Sequence, residues 1–145
     1  MKIHGYLNFD GKAEEAFRFY AKILGGELTE IHRFGSMPQD GGFELTSEQK
    51  NLVLHVGIEL PDGQMLMASD VIEGMGQHVK GNNVSISVHP DSKPEADRIF
   101  NALAEDGAVT MPIADQFWGD YFGSLTDLFG INWMVNYSAA GTQQH

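Results

Sequence analysis

The sequence predicts an α+β fold, with two βαβββ modules forming a curved mixed sheet around a groove and the helices outside. An internal repeat is the first observation, since a shift of 81 positions lays Lys12–Thr29 on Lys93–Thr110. In both copies an apolar stripe at helical spacing ends in glycine and leads into a strand-like run. A segment of alternating apolar and polar residues also precedes each stripe. We therefore expect one domain over residues 1–145, with modules at about 1–70 and 83–137 and a linker at about 71–82.

The first module is predicted to begin with a strand over Met1–Phe9, whose polar face carries His4, Tyr6 and Asn8. A helix with one apolar face follows and ends at Gly25–Gly26. Strands are then expected at Leu28–Phe34, Leu52–Leu60 and Met65–Ser69, with a hairpin turn at Pro61–Gly63. Residues 35–49 are rich in turn formers, which predicts a loop.

The second module repeats this plan. Its first strand is predicted around Val84–Val88, with Asn83, Ser85 and Ser87 on the polar face. A helix over Pro94–Glu105 has its proline near the N-terminus, where the missing N–H costs little. The remaining strands are expected at Ala108–Met111, about Phe117–Thr126 and Ile131–Tyr137, and residues 138–145 are expected to form a polar tail.

The polar faces of the two first strands indicate where a ligand would bind. If the helices cover the apolar side of each sheet, the polar side lines a groove. Small-molecule sites are commonly concave walls of this kind, in which a few polar groups stand among apolar and aromatic side chains. The sequence therefore predicts a small-molecule ligand in the groove.

Composition excludes several other classes of function. A formal charge of −11 with 9 Lys+Arg argues against nucleic acid as a partner, because phosphate binding needs a basic surface. No apolar run approaches the 18 or so residues of a membrane span, so no membrane partner is expected. The chain has no cysteine, which excludes disulfides and thiolate metal sites. A cytoplasmic location is the expectation.

Several stretches resemble a known superfamily, namely Tyr6–Tyr20, Phe34–Pro38, His55 within LVLHVGIEL, Leu66–Asp70 and Phe117–Asn136. With the βαβββ duplication they are similar to the vicinal oxygen chelate superfamily, which includes glyoxalase I, bleomycin-resistance proteins and extradiol dioxygenases. Within it the chain most resembles the PhnB-like group. The resemblance covers nearly the whole chain and implies the fold and a homodimer whose paired chains complete the grooves. It implies no particular reaction.

In the metal-dependent members of that superfamily, one residue from each of four inner strands holds the ion. The resemblance places His4, Met67, Asn83 and Met134 at those positions. Of these, only His4 is a good ligand for a divalent ion, whereas a catalytic ion needs about three firm protein ligands. We therefore expect neither a metal nor another cofactor.

The candidate ligand-binding residues are His4, Tyr6, His55, Met67, Asn83, Trp118 and Met134. Aromatic side chains can stack on a flat ligand, and methionines give an adaptable apolar wall. No catalytic residue is assigned, and whether the protein is an enzyme stays open. His32, His78 and His89 occupy loop or strand-end positions, and we expect them to be surface groups. We expect the side chain of Asp70 to cap the backbone N–H groups of residues 71 and 72.

Two alternatives to metal-free binding remain at this point. The first is a metal-dependent lyase, isomerase or dioxygenase that uses His4 as a ligand. The second is an interaction domain whose groove is filled by Trp133 and the methionines. A ligand-sized void would count against this second alternative.

Overall fold

The computed structural model describes residues 1–38 and 44–139 and divides the chain into two compact units, Met1–Val79 and Lys80–His145. Each unit is a βαβββ module and is described by itself below. The boundary between them falls within the predicted linker at about 71–82. The α+β class and the presence of two βαβββ modules are confirmed, and each module has its own mixed sheet.

The first unit contains β1 (Gly5–Phe9), α1 (Ala13–Leu24), β2 (Glu27–Leu28), β3 (His32–Arg33), α2 (Ser47–Asn51), β4 (Val53–Glu59) and β5 (Met65–Asp70). The strand order is β1-β5-β4-β2, and β3 also pairs with β4. β1 runs parallel to β5, whereas the other pairs are antiparallel. The first strand of the module therefore lies beside the last one.

The second unit contains β6 (Ile86–Val88), α3 (Lys93–Ala104), β7 (Ala108–Asp115), β8 (Asp120–Thr126) and β9 (Asn132–Ser138). Its strand order, β6-β9-β8-β7, is that of the first unit, and its first and last strands are again parallel. The registers also agree, because Tyr6 lies opposite Met67 and Ser87 lies opposite Met134. Since Ser87 is Tyr6 shifted by the 81-residue repeat, the structure supports an internal duplication.

One face of each sheet is covered by the helix of the same unit. The side chains that α1 buries are Ala13, Ala16, Phe17, Tyr20 and Ile23, and those that α3 buries are Ala96, Ile99, Phe100 and Leu103. Each large apolar side chain among them contributes about 1.5–3 kcal/mol by leaving water. Burial alternates along β5, where Leu66, Ala68 and Asp70 face the core. The opposite face of each sheet is therefore the less covered one.

The helix ends show the duplication at atomic detail. Gly25 ends α1 in the left-handed conformation with φ 74°, and its repeat counterpart Asp106 has φ 59°. The next residues, Gly26 and Gly107, pass close to a neighbouring strand. A Cβ on Gly26 would lie 2.9 Å from the carbonyl oxygen of Glu59. Both turns therefore need a residue without a side chain at this position.

Several strands differ from their predicted bounds. β7 continues to Asp115 instead of ending at Met111, and β8 begins at Asp120 instead of about Phe117. β1 begins at Gly5 and β6 at Ile86, so His4 and Asn83 lie just before the strands on which we expected them. The predicted strand Leu28–Phe34 is two short strands, β2 and β3. Between them, the N–H of Thr29 donates to the carbonyl oxygen of Gly57, and the N–H of Gly57 donates to the hydroxyl of Thr29, each at 2.9 Å. A side-chain oxygen thus takes the place of a backbone carbonyl in the ladder with β4.

The predicted loop over residues 35–49 contains the start of α2. Thr46 and Gln49 form a reciprocal capping box there, with bonds of 2.9 and 3.1 Å. Residues 39–43 of this loop, and residues 140–145 of the predicted tail, lie outside the described residues.

Asp70 has partners other than those expected. Its carboxylate accepts the backbone N–H groups of Ala13 and Val53, each at 2.9 Å, whereas the N–H of Val71 donates to the carbonyl oxygen of Phe9. The side chain is 1% exposed. Asp70 thus joins the start of α1 to the start of β4 instead of capping the residues that follow it.

Candidate functional site

A pocket of about 480 Å³ lies on the open face of the second unit's sheet. It is lined by Ser87, His89, Trp118, Phe122, Met134 and Asn136. Its volume falls within the range of about 300–1,000 Å³ that is typical of small-molecule sites. Most of the lining is apolar or aromatic, with a hydroxyl, an imidazole and an amide among it.

Strand alternation brings most of these side chains to one face. Ser87 and His89 are two residues apart along β6 and its extension, and the Ser87 hydroxyl lies 2.9 Å from Nε2 of His89. Met134 lies opposite Ser87 on the neighbouring strand β9. Asn136 follows Met134 by two residues and therefore points to the same side of the sheet.

Trp118 reaches the pocket from the turn between β7 and β8. The N–H of Gly119 closes this turn by donating to the carbonyl oxygen of Gln116 at 3.0 Å. Gly119 has φ 103°, which favours glycine at this position. The indole lies over the sheet, with its centroid 6.2 Å from that of Phe122. Because Trp118 is 47% exposed, much of its ring is available to a ligand.

The deeper side of the pocket is polar and hydrogen-bonded. Asn136 donates its amide to the carboxylate of Asp120 at 3.1 Å, and both residues are 5% exposed. This bond holds the amide of Asn136 in one orientation. A ligand would therefore meet an aromatic and thioether wall together with oriented polar groups.

The first unit also has an open sheet face, where three of the predicted residues lie. The hydroxyl of Tyr6 is 3.5 Å from Nδ1 of His55, and the two ring centroids are 6.0 Å apart. Met67 is on β5, where it lies opposite Tyr6 of β1 and opposite Gly57 of β4. Tyr6 is 45% exposed, and His55 and Met67 are half-buried.

The predicted residues thus fall into three groups. Trp118 and Met134 line the pocket of the second unit, whereas Tyr6, His55 and Met67 share the open face of the first. His4, half-buried, and Asn83, exposed, precede β1 and β6. A ligand-binding role for any of them stays a prediction.

Ser87 lies on the polar face that the sequence predicts to line the groove, and it does line the pocket. No site role was predicted for three further lining residues, His89, Phe122 and Asn136. His89 was interpreted as a surface group, and it is exposed, but it also lines the pocket. The alternation of β6 continues past its last residue, and this signal could have placed His89 beside Ser87. The same alternation along β9, counted from Met134, would have placed Asn136 on the pocket face.

Trp133 does not fill the pocket. It is 0% exposed, and its indole N–H donates to the carboxylate of Asp127 at 2.8 Å. β9 alternates, so Trp133 lies on the opposite face of the sheet from Met134. The ligand-sized pocket therefore counts against the interaction-domain alternative.

The donor atoms at the four metal positions do not fit a superfamily-type ion site. Met67 and Met134 occupy equivalent places in the two modules, opposite Tyr6 and Ser87, and their thioethers are soft donors. Asn83 precedes its strand. Within residues 1–38 and 44–139, no group of three or more His, Cys, Asp or Glu side chains is placed to hold an ion. Only His4 in the four-residue set has a donor suited to a catalytic divalent ion.

Two of the shifted pKa values belong to groups that pair a helix with a strand, Glu14 and Tyr121. A hydrogen bond from Arg33, followed by one from Arg18, lowers the pKa of Glu14 below its ordinary value. A hydrogen bond to Asp97, at 2.5 Å, raises the pKa of Tyr121. Both carboxylates belong to helices, so these shifts concern the packing of helix on sheet.

Among the described helices, none has the length and apolar character needed to cross a membrane.

Comparison with known proteins gives a consistent family assignment. Residues 1–136 match the family described as 3-demethylubiquinone-9 3-methyltransferase. Protein YjdN of Escherichia coli (strain K12) is 28% identical over 142 residues, which is 94% of this chain and 95% of that protein. The crystal structure of PA1353 from Pseudomonas aeruginosa is 40% identical, covers 95% of this chain and 98% of its own, and has a TM-score of 0.84.

The PhnB protein from Bacillus cereus is 29% identical, covers 95% of this chain and 100% of its own, and has a TM-score of 0.73. For the fold alone, a glyoxylase/bleomycin resistance protein/dioxygenase domain from Frankia sp. EAN1pec has a TM-score of 0.66. It is 15% identical and covers 98% of this chain and 94% of its own. These likenesses agree with the duplicated βαβββ topology described above.

Proposed function

Because the chain belongs to the 3-demethylubiquinone-9 3-methyltransferase family, the PhnB-like group of the glyoxalase/bleomycin resistance/dioxygenase fold, we propose that it binds a small molecule. The ligand we propose is flat and largely apolar, and it binds without a metal in the pocket of the second unit. The observation that carries this proposal is the pocket of about 480 Å³ beneath the half-exposed indole of Trp118.

The wall chemistry supports this ligand class. Trp118 and Phe122 give the pocket two aromatic rings tilted by 59° to each other, and a ring that stacks on the ligand contributes about 0.5–1.5 kcal/mol beyond its buried area. Met134 provides a flexible thioether that adapts to the ligand's outline. The hydroxyl of Ser87 and the imidazole of His89 supply the polar contacts that orient the ligand.

The polar groups of the pocket support ligand binding, and we assign no reaction to them. Ser87 and His89 are paired with each other at 2.9 Å, and Asn136 is paired with Asp120 at 3.1 Å. Such pairs hold donors and acceptors in fixed directions, as recognition requires. Ligand contact is also proposed for Asn83 of the second unit and, on the first unit taken by itself, for His4, Tyr6, His55 and Met67.

Native mass spectrometry of the purified protein tests the proposal directly. We expect the wild-type chain to retain a small molecule, and we expect Trp118→Ala and Met134→Ala to lose it. Leu128→Ala, at a residue of the second unit that is 41% exposed, is the matched control and should retain it. Equal retention by all three variants would contradict a ligand in this pocket.

The two tryptophans allow an optical test of the same pocket. Trp133 is buried, so its fluorescence should resist quenching by acrylamide, whereas Trp118 should be readily quenched. A compound that binds the pocket should protect Trp118 alone. Trp118→Phe should abolish that protection without changing the emission of Trp133.

We also propose that the protein is a homodimer in the cytoplasm. Apolar side chains exposed on the second unit support association, because such groups are commonly covered by a partner; they include Val109, Met111 and Phe117. Light scattering should give twice the mass of 16.0 kDa. Met111→Glu with Phe117→Ser should give the monomer mass, and cell fractionation tests the location.

A further inference from the structure

We propose that His32 and His55 form a binding site for one borderline transition-metal ion, Zn²⁺, Ni²⁺ or Cu²⁺, on the first unit. The two residues lie directly opposite each other on the antiparallel strands β3 and β4. Their ring centroids are 6.5 Å apart, with an angle of 35° between the rings. Imidazole nitrogen is a ligand that suits these ions.

The spacing of the rings is compatible with a shared ion. Two imidazoles that bind one ion tetrahedrally at about 2.1 Å from each nitrogen hold their ring centroids about 5.3 Å apart. The observed separation is 6.5 Å, so the two side chains must rotate to bring the rings about 1 Å closer when the ion binds. His32 is exposed and His55 is half-buried, which leaves the pair accessible to an ion from solvent.

Tyr6 completes the arrangement as a positioning residue. Its hydroxyl lies 3.5 Å from Nδ1 of His55, so the Nδ1 side of that ring faces the phenol. A histidine ligand commonly holds its second nitrogen against an acceptor, which fixes the ring and leaves the other nitrogen for the ion. With Nε2 of His55 and one nitrogen of His32 as ligands, water would fill the remaining positions.

This site differs from the ion site of the superfamily, which would use His4 and Met67 in this unit. It also differs from the other histidine contacts. Nε2 of His78 lies 3.1 Å from the carbonyl oxygen of Asn8, and Nε2 of His89 is paired with Ser87. The proposal does not depend on the ligand pocket, which belongs to the second unit.

Calorimetric titration of Zn²⁺ into the untagged, chelator-treated full chain at pH 7.5 tests the site. We expect one ion per chain with a dissociation constant on the order of micromolar, as for a site with few protein ligands. His32→Ala and His55→Ala should each weaken binding at least 10-fold, and Tyr6→Phe should weaken it less. Cu²⁺ bound to the wild-type chain should show coupling to two nitrogens by electron paramagnetic resonance.

Controls separate this site from the alternatives. His89→Ala and His4→Ala should bind Zn²⁺ as the wild type does. Unchanged affinity in His32→Ala would overturn the proposal, and this exposed residue can be replaced without disturbing the core. Loss of binding in His4→Ala alone would assign the ion to the superfamily position instead. Equal small losses in every histidine variant would mean adventitious surface binding and would also overturn it.

Discussion

The indole N–H of Trp133 donates to Oδ2 of Asp127 at 2.8 Å, and both residues are buried. The other carboxylate oxygen accepts the backbone N–H groups of Phe129 and Ile131 at 2.8 and 2.9 Å. One side chain thus satisfies three donors and shapes the turn between β8 and β9. That turn brings Met134 and Asn136 into register with Ser87 on the pocket face.

Asp127→Ala should destabilise the protein by about 3–5 kcal/mol, because it leaves two buried donors and one partly buried donor without this acceptor. Urea unfolding followed by fluorescence measures the change. Asp91→Ala, at an exposed position, is the control and should stay within about 0.5 kcal/mol of the wild type. A loss below about 1 kcal/mol in Asp127→Ala would mean that water replaces the carboxylate in the turn.

Gly107→Ala should destabilise by about 3 kcal/mol, because the new methyl group would meet the carbonyl oxygen of Thr126 and lie 2.9 Å from Cα of Asp127. These are backbone atoms and cannot rotate away. Gly81→Ala is the matched control, since its Cβ would meet its nearest atom at 3.7 Å. Thermal unfolding should show a large drop in Tm for the first variant alone.

Asp106→Gly should stabilise the protein by about 0.5–1 kcal/mol. Asp106 has φ 59°, a left-handed conformation that costs most residues roughly 1–2 kcal/mol and glycine very little. Asp106→Ala keeps the strain and loses the polar side chain, so it should destabilise instead. Chemical denaturation of both variants decides the point, and a less stable Asp106→Gly would contradict the strain argument.

Glu14→Gln should lower stability at pH 7 by about 0.5–1 kcal/mol, since the partly exposed carboxylate is paired with Arg33 at 3.0 Å and Arg18 at 2.8 Å. The pairing lowers the pKa of Glu14 in the folded state. Its contribution is therefore present above the unfolded pKa and is lost as the pH falls through the folded one. Denaturation at pH 7 and at about pH 3 should show the difference shrinking.

Local patterns were sufficient to predict most of the fold. Period-two alternation located β4 and β5 within one residue, and the 81-residue repeat predicted the second module from the first. Trp118 and Met134 were predicted as ligand contacts, and the structure places both in one pocket. These features depend on neighbouring residues or on the repeat, and both are visible in a single sequence.

Long-range hydrogen bonds account for what was missed. The carboxylate of Asp70 pairs with Ala13, 57 positions away, and no local pattern signals that contact. His89 was predicted as a surface group because it stands before Pro90 at a strand end, although alternation carries it onto the pocket face. The capping box of α2 was visible as Thr46 and Gln49, but the turn-rich surroundings concealed it.

β7 is the terminal strand of the second sheet, and it carries Pro112 near its middle. Proline has no N–H, so this free border lacks one of the donors that a further strand would need. The register also shifts on both sides of Met111. A further strand added along this edge would have an interrupted hydrogen-bond ladder. The interruption therefore disfavours edge-to-edge assembly of chains into fibres. Any lasting contact here must therefore be made by side chains.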